Sequence, residues 1–61
     1  MRRRDLIRRL KKVGFVFERH GGEHDIYRKG KYIESIPRHS EINERLANAI
    51  LKSANKKSST F

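Results

Sequence analysis

The chain has 61 residues, of which 34% are hydrophobic and 38% charged, with 16 Lys+Arg against 7 Asp+Glu for a formal net charge of +9. A chain of this length makes one domain and buries only about 60% of the surface it exposes when unfolded, so its core is thin and its excess positive charge speaks to partners: a polyanion, most simply nucleic acid, with an acidic membrane surface or an acidic protein as competitors. There is no cysteine, hence no disulfide, thiolate metal site or thiol nucleophile, and no apolar run near the roughly 20 residues a membrane span needs, so the expected location is the cytoplasm with no membrane partner.

Arg2 to Val13 places Leu6, Ile7, Leu10 and Val13 on one face of a helix, with Arg4, Arg8, Arg9, Lys11 and Lys12 on the other. Arginines at positions 2 to 4 oppose the positive N-terminal end of the helix dipole, where only Asp5 is favourably placed, so either the start frays or those arginines serve a ligand. Gly14 stands where a helix commonly ends.

From Phe15 the period changes to two. Phe15 to Arg19 reads as a strand with Phe15 and Phe17 on one face, and Gly21-Gly22 as a sharp turn. His24 to Arg28 is a second strand, Lys29-Gly30-Lys31 a short hairpin connection, and Tyr32 to Ile36 a third strand closed by Pro37, which lacks the ladder donor. Short strands joined by tight turns pair antiparallel, and Phe15, Phe17, Ile26 and Ile36 are the expected core of the sheet. Arg38 to Ile42 is a polar loop, Asn43 a good N-cap, and Glu44 to about Ala54 a second helix with Leu46, Ala47, Ile50 and Leu51 as its apolar stripe. The expected architecture is α+β in the order α-β-β-β-α, a three-stranded antiparallel sheet with two helices on one face. The domain spans residues 1–54, and the polar tail 55–61 is expected to be disordered.

The chemistry concentrates around the glycine turn. Histidine exchanges protons near neutral pH, and His24 follows directly on Gly21-Gly22-Glu23. On an alternating strand Asp25 points away from His24, so a carboxylate dyad between the two is not expected, and Glu23 and Asp25 put two negative charges beside the site. Arg19, Arg28, Lys29, Lys31 and Arg38 lie on or beside the strands and form a candidate phosphate-binding rim, with Tyr27 or Tyr32 as a stacking platform for an unpaired base and Tyr27 equally a core residue. His20 and His39 read as solvated or phosphate-contacting, with His39 also a candidate acid. The spacing of His20, His24 and His39 fits no zinc signature, so no metal site and no cofactor is expected.

Five short blocks, Arg4-Asp5-Leu6-Ile7 with Leu10, Gly14-Phe15, Gly22-Glu23-His24-Asp25-Ile26-Tyr27, Ile36-Pro37-Arg38-His39 and Ile50-Leu51-Lys52, follow one another at spacings that resemble the HicA family of toxin ribonucleases over residues 4 to about 52. The resemblance implies a fold similar to a double-stranded RNA-binding domain, a metal-independent endoribonuclease acting on single-stranded messenger RNA, a HicB-like antitoxin as partner, and a catalytic histidine at His24. Glu23 and Asp25 stand where the family frequently has serine and a second histidine. The alternative is a non-catalytic RNA-binding module of double-stranded type, recognising shape and phosphates.

Overall fold

A computed structural model describes residues 1–58. Its elements are α1 (Arg3–Lys12), β1 (Val16–Gly21), β2 (His24–Lys29), β3 (Tyr32–Pro37) and α2 (Glu44–Ser58), with the strands in antiparallel order β1-β2-β3. The α-β-β-β-α order and the single three-stranded sheet are those expected from the sequence.

Each local choice has a visible cause. Leu6, Ile7 and Leu10 bury the apolar side of α1. The helix ends in the paired hydrogen bonds of a Schellman motif, Gly14 N–H to the Lys11 carbonyl and Phe15 N–H to the Leu10 carbonyl, both 3.0 Å, with Gly14 at φ 103°. Its start is pinned rather than frayed: the Arg3 N–H donates to the Ser40 carbonyl at 2.9 Å and the Ile42 N–H to the Met1 carbonyl at 2.8 Å. Two-residue hairpins join the strands, and the first, Gly22-Glu23, has Gly22 at φ 62°, the positive angle that a II′ turn requires at its first central position. The same arrangement recurs at Gly30. Asn43 caps α2, its side-chain oxygen accepting the Arg45 N–H at 2.9 Å.

One core lies between the sheet and both helices: Leu6, Ile7, Leu10, Phe15, Tyr27, Ile36, Ile42, Ala47, Ile50 and Ala54. The register pairs Asp25 with Ile36 and Tyr27 with Glu34, so these four share the face that the helices cover. The alternate positions, His24, Ile26 and Arg28 on β2 with Ile33 and Ser35 on β3, share the open face.

Five expectations need correction, the first being Leu46, placed in the apolar stripe of α2 but 43% exposed because Ala47 and Ile50 face the core in its stead. Phe17 is 46% exposed because β1 is an outer strand; its ring packs at the margin against His20 and Tyr27, with centroids 5.1 and 5.7 Å apart. Ile26 is half-buried on the open face, where its side chain lies over Gly21, because it alternates with Asp25 and Tyr27, which β2 turns to the helices, and so pairs with Ser35 rather than with Ile36. Ile42, assigned to a polar loop, is 2% exposed because it follows the strap that ties α1 to the chain entering α2. Finally, α2 runs to Ser58, four residues past the expected end, so 55–58 are helical. The Lys57 ammonium and the Ser53 hydroxyl both reach the buried Glu34 carboxylate, each at 2.9 Å, and Lys57 also donates to the Ile33 carbonyl. Residues 59–61, the rest of the expected disordered tail, lie outside the described residues.

Candidate active site

The alternation of β2 separates two neighbours in sequence onto opposite faces of the sheet. His24 opens the strand opposite Gly21 on one side and Pro37 on the other, and it is exposed. The hairpin folds back beside it, and the chain leaving β3 passes on its other flank. The result is a cleft of about 370 Å³ lined by Gly22, Glu23, His24, Pro37, Arg38 and His39. An imidazole on β2 and the adjacent guanidinium and imidazole of Arg38 and His39 thus border one space. An imidazole pair beside a guanidinium can move two protons and neutralise an anion in the same place.

Asp25 faces inward and is 7% exposed. Arg3 Nη2 donates to its Oδ2 at 2.5 Å, Arg38 Nε to its Oδ1 at 2.9 Å, and His20 Nδ1 to the same Oδ1 at 2.7 Å. The His20 hydrogen bond holds the Asp25 carboxyl below its ordinary pKa; burial opposes the shift and Arg38 adds to it. The expectation that Asp25 lays a negative charge beside the site is therefore overturned. Its carboxylate is turned to the other face and surrounded by cations, and what it contributes is the hold on Arg38, whose Nη atoms are left for the cleft. No dyad forms with His24, as the alternation implied.

The remaining basic residues do not gather here. Arg19 and Arg28 both pair with Glu18, and Arg28 Nη1 also donates to the Gly30 carbonyl at 3.3 Å. The side chain of Lys29 lies against Gly14, and Lys31 sits 5.5 Å over the Tyr32 ring. Both lysines are at the far end of the β2–β3 hairpin, roughly 15–20 Å from His24 at about 3.3 Å per residue. Tyr27 is 6% exposed within the core, so its ring is packing rather than a platform for a base. Of the expected rim, Arg38 and His39 line the cleft of His24.

Two features escaped the sequence reading. His20 is exposed as expected but its Nδ1 also binds Asp25, and Arg3 crosses from α1 to the same carboxylate while donating from Nε to the Pro37 carbonyl at 2.8 Å. The signal was present in the alternation itself: an acidic residue in phase with Tyr27 falls on the covered face, and a buried carboxylate needs cations.

A family model described as HicA toxin of bacterial toxin-antitoxin matches residues 3–55. The chain belongs to the HicA toxin family. No curated protein and no solved structure matches it. The match runs from the first residue of α1 into the extended part of α2 and takes in the whole cleft. Membership makes this HicA protein the toxin half of a toxin–antitoxin pair, with a cognate antitoxin as its implied partner. Among the described residues no helix is long and apolar enough to cross a membrane.

Proposed function

We propose that this HicA toxin is a metal-independent endoribonuclease that cuts single-stranded messenger RNA, with His24 as the general base. The observation that carries the reading is the single cleft bordered by His24, Arg38 and His39. Self-cleavage of RNA needs a base for the ribose 2′-OH proton, an acid for the departing 5′ oxygen, and positive charge at the phosphorus that is briefly five-coordinate. His24 removes the 2′ proton, and the 2′ oxygen attacks the adjacent phosphorus. The bond from phosphorus to the 5′ oxygen breaks, and His39 returns a proton to that oxygen. The products are a 2′,3′-cyclic phosphate and a free 5′-hydroxyl. Arg38, held through Nε by Asp25, offers its remaining nitrogens to the non-bridging oxygens.

On this reading the antitoxin is a HicB-like protein that places acidic groups over the basic cleft, and the activity belongs to the cytoplasm, where messenger RNA is found. The decisive substrate is one whose cleaved position lacks the 2′-OH. Cleavage of all-RNA in EDTA, with complete resistance of the same oligonucleotide carrying 2′-deoxyribose, is the expected result. Cleavage of the deoxy-substituted substrate overturns the mechanism. Binding of long duplexes without any cleavage replaces the nuclease by a shape-reading RNA module.

A further inference from the structure

Arg38 borders a second cleft besides that of His24. On its other side lies a larger space of about 540 Å³, lined by Arg2, Arg3, Arg4, Arg38, Ser40 and Glu41. Four guanidiniums and a hydroxyl donor converge there on one lining carboxylate. That carboxylate is engaged, because Glu41 Oε2 lies 3.0 Å from the Met1 amino group. Arg3 is engaged as well, through Nη2 on Asp25 and Nε on the Pro37 carbonyl. Arg38 uses Nε on Asp25. Arg2 and Arg4 are exposed, and their side chains have no hydrogen bond or ion pair among the described residues. The cleft therefore holds two uncommitted guanidiniums and part of a third around a space roomy enough for a nucleotide's phosphate and sugar, and its one carboxylate is shared with the Met1 amino group. Guanidiniums bind oxyanions, phosphates and carboxylates alike, bidentately, so such a constellation favours an oxyanion over a neutral ligand, and on the nuclease reading that oxyanion is a backbone phosphate.

We propose that this cleft is a second phosphate subsite, holding a non-scissile phosphate of the same RNA strand whose scissile phosphate lies at His24. Arg38 forms the wall common to both spaces, so the two phosphates are neighbours along the chain. The strand runs from the glycine turn, past the end of β3, to the start of α1. The inference rests on the nuclease reading for the identity of the strand. It adds a path for the chain and a minimum length for a good substrate: a dinucleotide, which has one phosphate, fills only the His24 cleft, whereas a trinucleotide, which has two, reaches both, and a tetranucleotide does so with one phosphate to spare.

The test compares the whole chain with an Arg2→Ala/Arg4→Ala double variant, and uses 2′-O-methyl oligonucleotides, which bind without being cut. The wild type is expected to bind the tetranucleotide more tightly than the dinucleotide. The double variant should weaken tetranucleotide binding about tenfold or more, as loss of a charge-assisted contact implies. The slope of log K against log salt should become shallower by about 0.7, the value of one phosphate contact on a single strand. Dinucleotide binding should be unchanged. An Arg2→Lys/Arg4→Lys variant, which keeps the charge and loses the fork, should retain most of the slope and recover part of the affinity. In cleavage assays the alanine variant should raise KM for the tetranucleotide and leave kcat unaltered. Equal tetranucleotide affinity and equal salt slope in wild type and double variant overturn the subsite, as does an effect confined to antitoxin binding. The two readings fail separately: RNA cleavage with an unchanged KM removes the subsite and keeps the nuclease, whereas weakened binding in a protein that never cleaves keeps the subsite and removes the nuclease.

Discussion

Replacing His24 by alanine separates catalysis from folding, and the position of the residue says by how much. His24 is exposed on the open face of β2, opposite Gly21 and Pro37, and its side chain makes no hydrogen bond or ion pair among the described residues. Truncation opens no cavity between sheet and helices and strands no buried donor, so unfolding free energy should change by no more than about 0.5 kcal/mol. The loss of general base assistance should slow RNA cleavage by about 10²–10⁴-fold, equivalent to about 3–5 kcal/mol of barrier. The assay is single-turnover cleavage of an end-labelled single-stranded RNA, run beside thermal unfolding of the same preparations. Growth arrest on expression gives the cellular readout and should disappear with the activity. If His24 and His39 serve the same step, His39→Ala should also slow cleavage, and the double variant should lose less than the two single losses combined. A His24→Ala protein that cleaves within about threefold of wild type would falsify the assignment; one that loses activity only in proportion to a fall in melting temperature makes His24 structural.

Three further outcomes test the frame around that residue. Because the Asp25 pKa is lowered in the folded protein, its ionised form stabilises the fold above the unfolded value near 3.9 and this contribution is lost as pH falls through the lowered value. Thermal melts between pH 6 and pH 2.5 should therefore show a smaller acid decline for Asp25→Asn than for wild type, from a lower plateau; parallel curves would contradict the ion cluster. Phe15, fully buried, should cost about 3–5 kcal/mol as Phe15→Ala, against a total of about 3–9 kcal/mol expected for a chain of this size, so urea unfolding should begin at or near zero denaturant, and a well-folded variant would show that the core is larger than it looks. Gly14→Ala forces a β-carbon onto a backbone at φ 103° and to within 2.9 Å of the Lys29 side chain. The lysine can yield but the backbone cannot, so a loss of about 1–2 kcal/mol in chemical unfolding is expected, and an unchanged midpoint would mean that the cap relaxes freely.

The parts of this structure that were legible in the sequence are those written in local period and turn chemistry. Leu6, Ile7 and Leu10 announce α1 by their spacing, Gly14 its end, and the switch to alternation at Phe15 the sheet. What local pattern does not carry is the number of neighbours a residue finds in the third dimension. Phe17 has the alternation of a core residue, but an outer strand gives its ring little to pack against. Ile26 lies between Asp25 and Tyr27, and it is those two that β2 turns to the helices, a choice of face that a period of two leaves open. The end of α2 depends on Lys57 finding Glu34, a contact between a helix terminus and the middle of β3. At the candidate site, the exposed position of His24 was legible because the glycine turn and the alternation both bear on it, whereas the hold on Arg38 was not. The partners of Asp25 lie 5, 13 and 22 residues away in the chain, on three different elements.

A thin core explains why the covered face carries two carboxylates at all. With so little apolar surface to bury, the layers are also joined by ions: Glu34 ties β3 to α2, and Asp25 ties α1, β1 and the loop after β3 to β2. Charges of this kind are expensive to bury unless they are fully paired, and both are satisfied, with no orphaned polar side-chain atom buried among the described residues. The placement also has an electrostatic consequence for the surface. By turning Asp25 inward the fold removes a negative charge from the neighbourhood of His24 and uses it to fix the Nε edge of Arg38, so the rest of that guanidinium stands between two clefts with its direction set. A second histidine at position 25 could not hold an arginine in this way. The departure of this sequence from the commoner family pattern is therefore compatible with a working site, and the Asp25→Asn variant should lose cleavage along with the stability that the ionised carboxylate gives above the acid limb, because one carboxylate supports both.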